Sequence, residues 1–348
     1  MIYQCPKCKS DNLRHLSKLY ECMNCHAQYN IVEDIPDFRV FRDNIYSNPV
    51  TEAKGVAALL ENYSSKSVED LLEIECEVTK YKNENNYTAL KLINQNIQSV
   101  INNLITGRGL TLYLDHFGIK KEALADEVTL DIGCGFCSNT IQLAKYCKNI
   151  IATDISMTEL IIAKKILQQQ GINNVALVCA CAEALPFSNN QFGYMFASEV
   201  IEHVQDQGRF LYETHRILRD EGSFIFTSPN RFFIGKEPHV NIAFVGFMPR
   251  RLMRLYVQVL SRGKLVYGSK RLLSCAELTK LMRRFYNNNW ECRTRLYVDI
   301  SSQTQSTLGR LYRQNIVFRN LVKLYDEFIY RIFCKSHVIR ACKRSTIA

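Results

Sequence analysis

Val128-Thr129-Leu130-Asp131-Ile132-Gly133-Cys134-Gly135 decides the fold. Five mostly apolar residues run into a turn that carries two glycines, and Thr140-Ile141-Gln142-Leu143-Ala144 continues with helical character. A buried strand, a glycine turn and a helix bring the backbone close to a ligand at the carboxyl edge of a sheet. Working outward, apolar runs recur at 149–153, 175–179, 192–197 and 223–227 with helical stretches between them, and a later pair of strands falls near 290–300. That rhythm predicts an α/β fold, a Rossmann-like, doubly wound, mostly parallel sheet. Ahead of it, Val68, Leu71, Leu72 and Val78, then Leu90, Ile93, Ile97, Val100, Ile101 and Leu104, lie at helical spacing. The expected organisation is a cysteine-bearing module over 1–40, a helical lead-in over 41–125, a catalytic domain over 126–300 with an insertion at about 231–285, and a basic amphipathic helical segment over 301–348.

The glycine turn alone is a weak signal, and its neighbours narrow the ligand. Asp131 stands just before the turn, where a dinucleotide would bring a pyrophosphate and be repelled. Adenosylmethionine brings an ammonium and a sulfonium instead. Ser138 occupies the place of the third glycine in a dinucleotide fingerprint, which counts against NAD(P). The next strand, Ile150-Ile151-Ala152-Thr153-Asp154, closes on a second acid, where a carboxylate can accept bonds from two ribose hydroxyls.

LDIGCG at 130–135, TDIS at 153–156, CAEALPFSNNQFGYMFASEVIEHV at 181–204 and the helix at 210–218 with HRILRDEGSFIFTSPN resemble, in order, the motifs of the large methyltransferase family that includes the ubiquinone-biosynthesis enzymes. The resemblance covers about residues 90–230. It implies S-adenosylmethionine as cofactor, with Asp131, Gly133 and Gly135 at its methionine end and Asp154, beside Ile155, at the ribose. Cys181, Ala182 and Glu183 fall at the adenine edge, and Ser198 is counted in the same site. The chain departs from the family at three places: Cys137 stands for a usual glycine, and Cys181 and Gly193 stand for usual aspartates.

Cys5-Pro6-Lys7-Cys8 and Cys22-Met23-Asn24-Cys25 form two C-x-x-C knuckles, the spacing of a structural zinc site. So short a module buries little apolar area, and metal binding would supply much of its folding free energy. His26 is an alternative ligand or a surface residue. The stretch from Cys5 to Phe38 resembles the small zinc-ribbon proteins that partner tRNA, rRNA and protein methyltransferases.

On the acceptor side, Ser198-Glu199-Val200-Ile201-Glu202-His203-Val204 follows the fourth strand. On a helical turn Glu199, Glu202 and His203 would share one face, which suits a divalent cation such as Mg²⁺. The commoner role for such residues is to cap the following helix and hydrogen-bond the neighbouring loop. E-x-x-E-H is also similar to a metal-binding pattern in the ubiquinone-pathway O-methyltransferases. His203, Glu199 and His239 are the candidate proton acceptors. Ser228-Pro229-Asn230-Arg231 and Glu237-Pro238-His239 resemble a subgroup from cell-surface polysaccharide pathways, in which an insertion covers the acceptor.

The net charge of +10 is unevenly spread: residues 1–230 hold 21 basic and 28 acidic side chains, residues 231–348 hold 23 and 6. A positive field of that kind attracts phosphates in nucleic acid, lipid headgroups or a diphosphate-linked substrate. Phe244, Phe247, Leu252, Met253, Tyr256 and Leu260 interleave with arginines, as does the stripe from Leu308 to Ile332. Such stripes bury in a core or lie on an anionic membrane. The 47% hydrophobic and 22% charged composition excludes a disordered chain. Ten cysteines scattered beyond the two close pairs and an N-terminus without an apolar targeting run predict a cytoplasmic protein, peripheral on the inner face of the membrane if the stripes touch lipid. The function expected is O-methylation of a small or lipid-linked sugar or quinone-type acceptor. RNA base methylation and a non-catalytic partner role are the alternatives; the chain has no N-P-P-[YF]-like clamp after the fourth strand to support the first.

Overall fold

The computed structural model describes residues 3–40, 49–80, 113–114, 117–237, 239–265, 267–268, 270–294, 307–325 and 331–343. The helical stripe from Leu90 to Leu104 lies outside them. The cysteine module forms an antiparallel sheet of β1 (Leu13–Leu16), β2 (Leu19–Cys22), β3 (Gln28–Val32) and β4 (Ile35–Pro36). Helices α1 (Pro49–Asn62) and α2 (Val68–Lys80) follow, packed on each other through Leu59, Val68, Leu71 and Leu72.

The larger sheet begins at β5 (Val128–Ile132), the strand quoted above, and α3 (Ser138–Leu143) follows its glycine turn. Then come β6 (Asn149–Asp154), α4 (Met157–Gln169), β7 (Val175–Cys179), β8 (Phe192–Ala197), α5 (Gln207–Ile217) and β9 (Leu218–Pro229). The insertion supplies α6 (Arg250–Leu260) and leads to the crossover helix α7 (Cys275–Tyr286) and to β10 (Trp290–Thr294). Among the described residues the sheet has seven strands in the order β10, β11, β9, β8, β5, β6, β7, where β11 is Ser336–Cys342. β5 through β9 pair in parallel, while β11 runs antiparallel between β9 and β10. The order reverses between β5 and β8, which is where such sheets open a ligand crevice at their carboxyl edge.

Local chemistry sets the ends of these elements. Ser156 caps α4 by accepting from Glu159 N, and Asp206 caps α5 by accepting from Gly208 N and Arg209 N. Ser274 and Glu277 cap α7 reciprocally. Helices α8 (Thr307–Gln314) and α9 (Ile316–Tyr325) occupy part of the segment expected to be helical, but residues 336–342 form a strand. Val338, Ile339 and Ala341 are buried there, and the sheet needs them between β9 and β10. The expected late strand pair therefore has one member at 290–294 and a partner far along the chain.

The cysteine sheet is not a tethered appendage. Phe38 N donates to Cys179 O at 2.8 Å and Gln4 N to Pro186 O at 3.0 Å, so the module continues past the edge strand β7. Cys5, Cys22, Tyr29 and Phe38 share one apolar core with Leu185, Phe187 and Phe192. Lys9 reaches the buried Glu213 at 2.8 Å; burial pushes that carboxyl up, but Arg216 and Lys9 outweigh it and hold it below its ordinary range.

Candidate active site

The residues expected to face a cofactor converge on the carboxyl edges of β5, β6, β7 and β8. Asp131 is buried at the end of β5, and its Oδ2 accepts from Thr140 Oγ1 at 2.6 Å. Its Oδ1 has no hydrogen-bond partner among the described residues. Burial raises its pKa to about 7, against the lowering effect of Thr140 and with a smaller push from Asp154. A buried, half-satisfied carboxylate is the group a ligand ammonium would complete.

Gly133 has φ of +68° and donates its N–H to Thr153 O at 2.7 Å. A Cβ there would lie 2.4 Å from Val200 Cγ2, so the glycine turn packs directly against the segment that carries the acceptor residues. Asp154 closes β6; its Oδ2 accepts from Gly135 N at 2.8 Å and its Oδ1 from Ser156 N at 2.9 Å. Ala180 N donates to Asp154 O at 2.9 Å, which sets Cys181 and Ala182 next to that loop. Glu183 turns the other way and accepts from Gln205 N at 2.7 Å. Cys137 has a left-handed φ of +65°, the backbone region that favours glycine. At Gly193, Glu127 fills the space an aspartate would take: a Cβ would lie 2.5 Å from its Oε2.

One tie belongs to no sequence motif. Arg39, just past β4, pairs with Asp37 at 2.6 Å and with Glu52 of α1 at 2.6 Å, and donates to Ile155 O at 3.0 Å. Glu52 also accepts from Met157 N at 3.1 Å. The cysteine module and α1 thus jointly hold the loop after Asp154.

The acceptor side differs from expectation. Glu199 has φ of +55°, so residues 199–203 form a turn and not a helix, and the shared face of Glu199, Glu202 and His203 does not exist. Glu199 faces β9 and β11, where its N–H donates to Thr227 Oγ1 at 2.9 Å and its Oε1 accepts from Ser336 Oγ at 3.3 Å. His239, from the insertion, takes its place: ligand atoms of Glu202, His203 and His239 all lie within 4.8 Å of one another. The two imidazole rings stand edge to face at 5.3 Å. Glu202 is buried, neither carboxylate oxygen has a hydrogen-bond partner among the described residues, and His203 Nε2 lies 3.6 Å from its Oε1.

Burial pushes the Glu202 carboxyl well up, with Glu199 adding to the effect. Burial, then Lys270 and His239, push His203 down to about 2, so this imidazole is neutral. His239 is oriented by Glu237 Oε1 at 2.5 Å from Nδ1. Lys270, which no motif pointed to, is lowered to about 8 by burial. It is brought there because Arg271 N donates to Glu202 O at 2.8 Å.

In the cysteine module Cys5 and Cys25 sulfurs lie 3.6 Å apart, Cys8 and Cys22 3.5 Å, and all four within 4.8 Å. Four thiolates at about 2.3 Å from Zn²⁺ would have edges of ~3.8 Å, so the donor set fits the metal. Asn24 Nδ2 donates to Cys8 Sγ at 3.6 Å and draws that thiol down to about 6. His26 is exposed and outside the cluster.

The sheet order, the antiparallel β11 and the acid-glycine-acid edge define a class I S-adenosylmethionine-dependent methyltransferase domain. Residues 130–226 match the family described as "Methyltransferase domain". Among curated relatives it is 31% identical over 113 residues to the sarcosine/dimethylglycine N-methyltransferase of Halorhodospira halochloris, 32% of this chain and 40% of that protein. It is also 31% identical over 119 residues to the ubiquinone biosynthesis O-methyltransferase of Parvibaculum lavamentivorans, 33% of this chain and 47% of that protein. The chain therefore spans under half the length of these relatives, and the family match ends before the insertion. Phosphoethanolamine N-methyltransferase 2 of Haemonchus contortus, a solved structure, is 17% identical with a TM-score of 0.46, covering 81% of this chain and 61% of that one.

Proposed function

We propose that this protein is an S-adenosylmethionine-dependent methyltransferase that methylates a hydroxyl oxygen of a small or lipid-linked acceptor, of sugar or quinone type. The observation that carries this reading is the contact between Gly133 and Val200: it sets the cofactor turn three residues from His203, a member of the polar cluster. Bound adenosylmethionine supplies an electrophilic methyl group on sulfonium. Asp131 meets its ammonium, Asp154 and the loop at 155 its ribose, and Cys181 with Ala182 lines the adenine edge; Ser198, at the end of β8, lies beside the methyl.

Glu202, His203 and His239 form a set of one carboxylate and two imidazoles that fits a divalent cation, because the buried Glu202 oxygens otherwise lack a partner among the described residues. Such an ion supplies Lewis acidity toward an acceptor hydroxyl. The chain's own part is positioning: without an ion, the neutral His203, or His239 through Nε2 while Glu237 holds its Nδ1, can take a hydroxyl proton. Cys5, Cys8, Cys22 and Cys25 hold a structural Zn²⁺ in the same reading.

Transfer of labelled methyl from adenosylmethionine to lipid extracts and to soluble sugar and phenol pools tests the proposal. The expected product is an ether stable to mild base, absent with Asp131→Asn and strongly reduced with His239→Ala. Label appearing only in RNA, or no binding of adenosylhomocysteine by calorimetry, defeats it.

A further inference from the structure

We infer that α6 and the turn before it form a docking surface for an anionic lipid bilayer. Helix α6 buries only Met253 and Val257. Leu252, Leu255 and Val259, at spacings of three and four, form a second apolar face in water, and Leu255 and Val259 are 57% and 65% exposed. Arg251 and Arg254 flank that face and are exposed as well. Just ahead of the helix, Phe244 and Phe247 are exposed, with rings 5.9 Å apart.

Charge identifies the partner. From Pro238 to Ala276 there is no Asp or Glu but seven Lys and Arg. Arg250 of this stretch pairs with Glu277 at 2.7 Å and Lys270 is partly buried at the polar cluster, but the exposed Arg251 and Arg254 stand beside the protruding aliphatic side chains, a combination complementary to an anionic headgroup layer over hydrocarbon. RNA phosphates would satisfy the arginines and leave Leu255 and Val259 bare in water.

The end of β9 ties these segments to the site. Arg231 donates through Nε to Gly246 O at 2.9 Å and through Nη2 to Met248 O at 3.2 Å. Asn230 donates through Nδ2 to Ile332 O at 2.8 Å, beside the exposed Ile332 and Phe333. Phe244–Met248 and Ile332–Phe333 therefore flank the carboxyl edge of the sheet, where His203 and His239 stand. Lipid bound there would place an acceptor's headgroup at the cluster while its hydrocarbon stays in the bilayer.

The purpose of this surface rests on the lipid-linked reading of the acceptor, but its readout is partition, not turnover. Full-length zinc-loaded protein is floated with phosphatidylcholine vesicles and with vesicles containing phosphatidylglycerol. Flotation is expected with the anionic vesicles only, falling as salt screens the arginines. Leu255→Asp with Val259→Asp is expected to reduce it roughly tenfold, and Arg251→Gln with Arg254→Gln to shift it toward lower salt, with adenosylhomocysteine binding unchanged. Should a pair disturb folding, the lipid and salt dependence of the parent decides. Absence of flotation on anionic vesicles, equal flotation on neutral ones, preference for RNA over vesicles, or a dimer broken by the aspartates overturns the inference. Flotation without methylation of any lipid would instead defeat the acceptor reading alone.

Discussion

Thr140 Oγ1 donates to Asp131 Oδ2 at 2.6 Å and leaves Oδ1 without a hydrogen-bond partner among the described residues. Burial raises Asp131 to about 7, well above the 3.8 of a free aspartate. Below about pH 7 its protonated form is favoured, and the stability it contributes is complete below the unfolded pKa and is lost as pH rises through about 7. A ligand ammonium reverses the preference. Binding of adenosylmethionine near pH 6 should release a proton, seen by calorimetry in buffers of different ionisation enthalpy. Asp131→Asn should abolish the release and weaken binding about 10- to 100-fold. Proton release that survives the substitution would point to another group.

Gly133 is strained for any other residue by its φ of +68° and blocked by Val200, whose Cγ2 lies 2.4 Å from where a Cβ would stand. Gly133→Ala should destabilise the protein by about 1–3 kcal/mol in urea unfolding. Adding Val200→Ala should recover part of this, because the steric half of the penalty is removed while the backbone half stays. A double variant no more stable than the single one would show that Val200 is not the obstacle.

Asp131 and Gly133 also show what was legible in the sequence. The strands at 128–132, 175–179 and 192–197 are read as they stand, because fully buried parallel strands are continuous apolar runs. β9 begins earlier than its apolar run, at Leu218, because Arg219, Asp220 and Glu221 are exposed. β11 lies hidden behind a helical stripe whose period ends just before it. The acceptor cluster is half legible: Glu202 and His203 are local, whereas His239 and Lys270 arrive from an insertion whose path no spacing reveals. Glu199 falls outside the cluster because its left-handed backbone breaks the helical turn on which that alignment depends.

Arg39 joins three parts of the chain, through Asp37, Glu52 and Ile155 O. Glu52 is buried, so removing its cation leaves an uncompensated charge, at a cost of about 3–5 kcal/mol. Arg39→Ala should lower the melting temperature and weaken adenosylhomocysteine binding, since the loop after Asp154 loses an anchor. Arg39→Lys should restore little, because one ammonium cannot replace the forked contacts. Unchanged ligand affinity in a folded Arg39→Ala protein would confine the residue to stability.

Zinc removal should be felt far from the cysteines. Tyr29 and Phe38 pack in the core that holds Phe187 and Phe192, and Phe38 hydrogen-bonds to Cys179 at the end of β7. With its four thiolates unliganded the module has little of its own to hold it together, and the catalytic domain loses one wall. Metal analysis should give one zinc per chain, lost in Cys8→Ser and retained in Glu202→Gln. Chelation should lower the melting temperature of the whole protein in a single transition and weaken adenosylhomocysteine binding. Two separate transitions, the catalytic one unmoved by chelator, would show that the shared core does not couple the two parts.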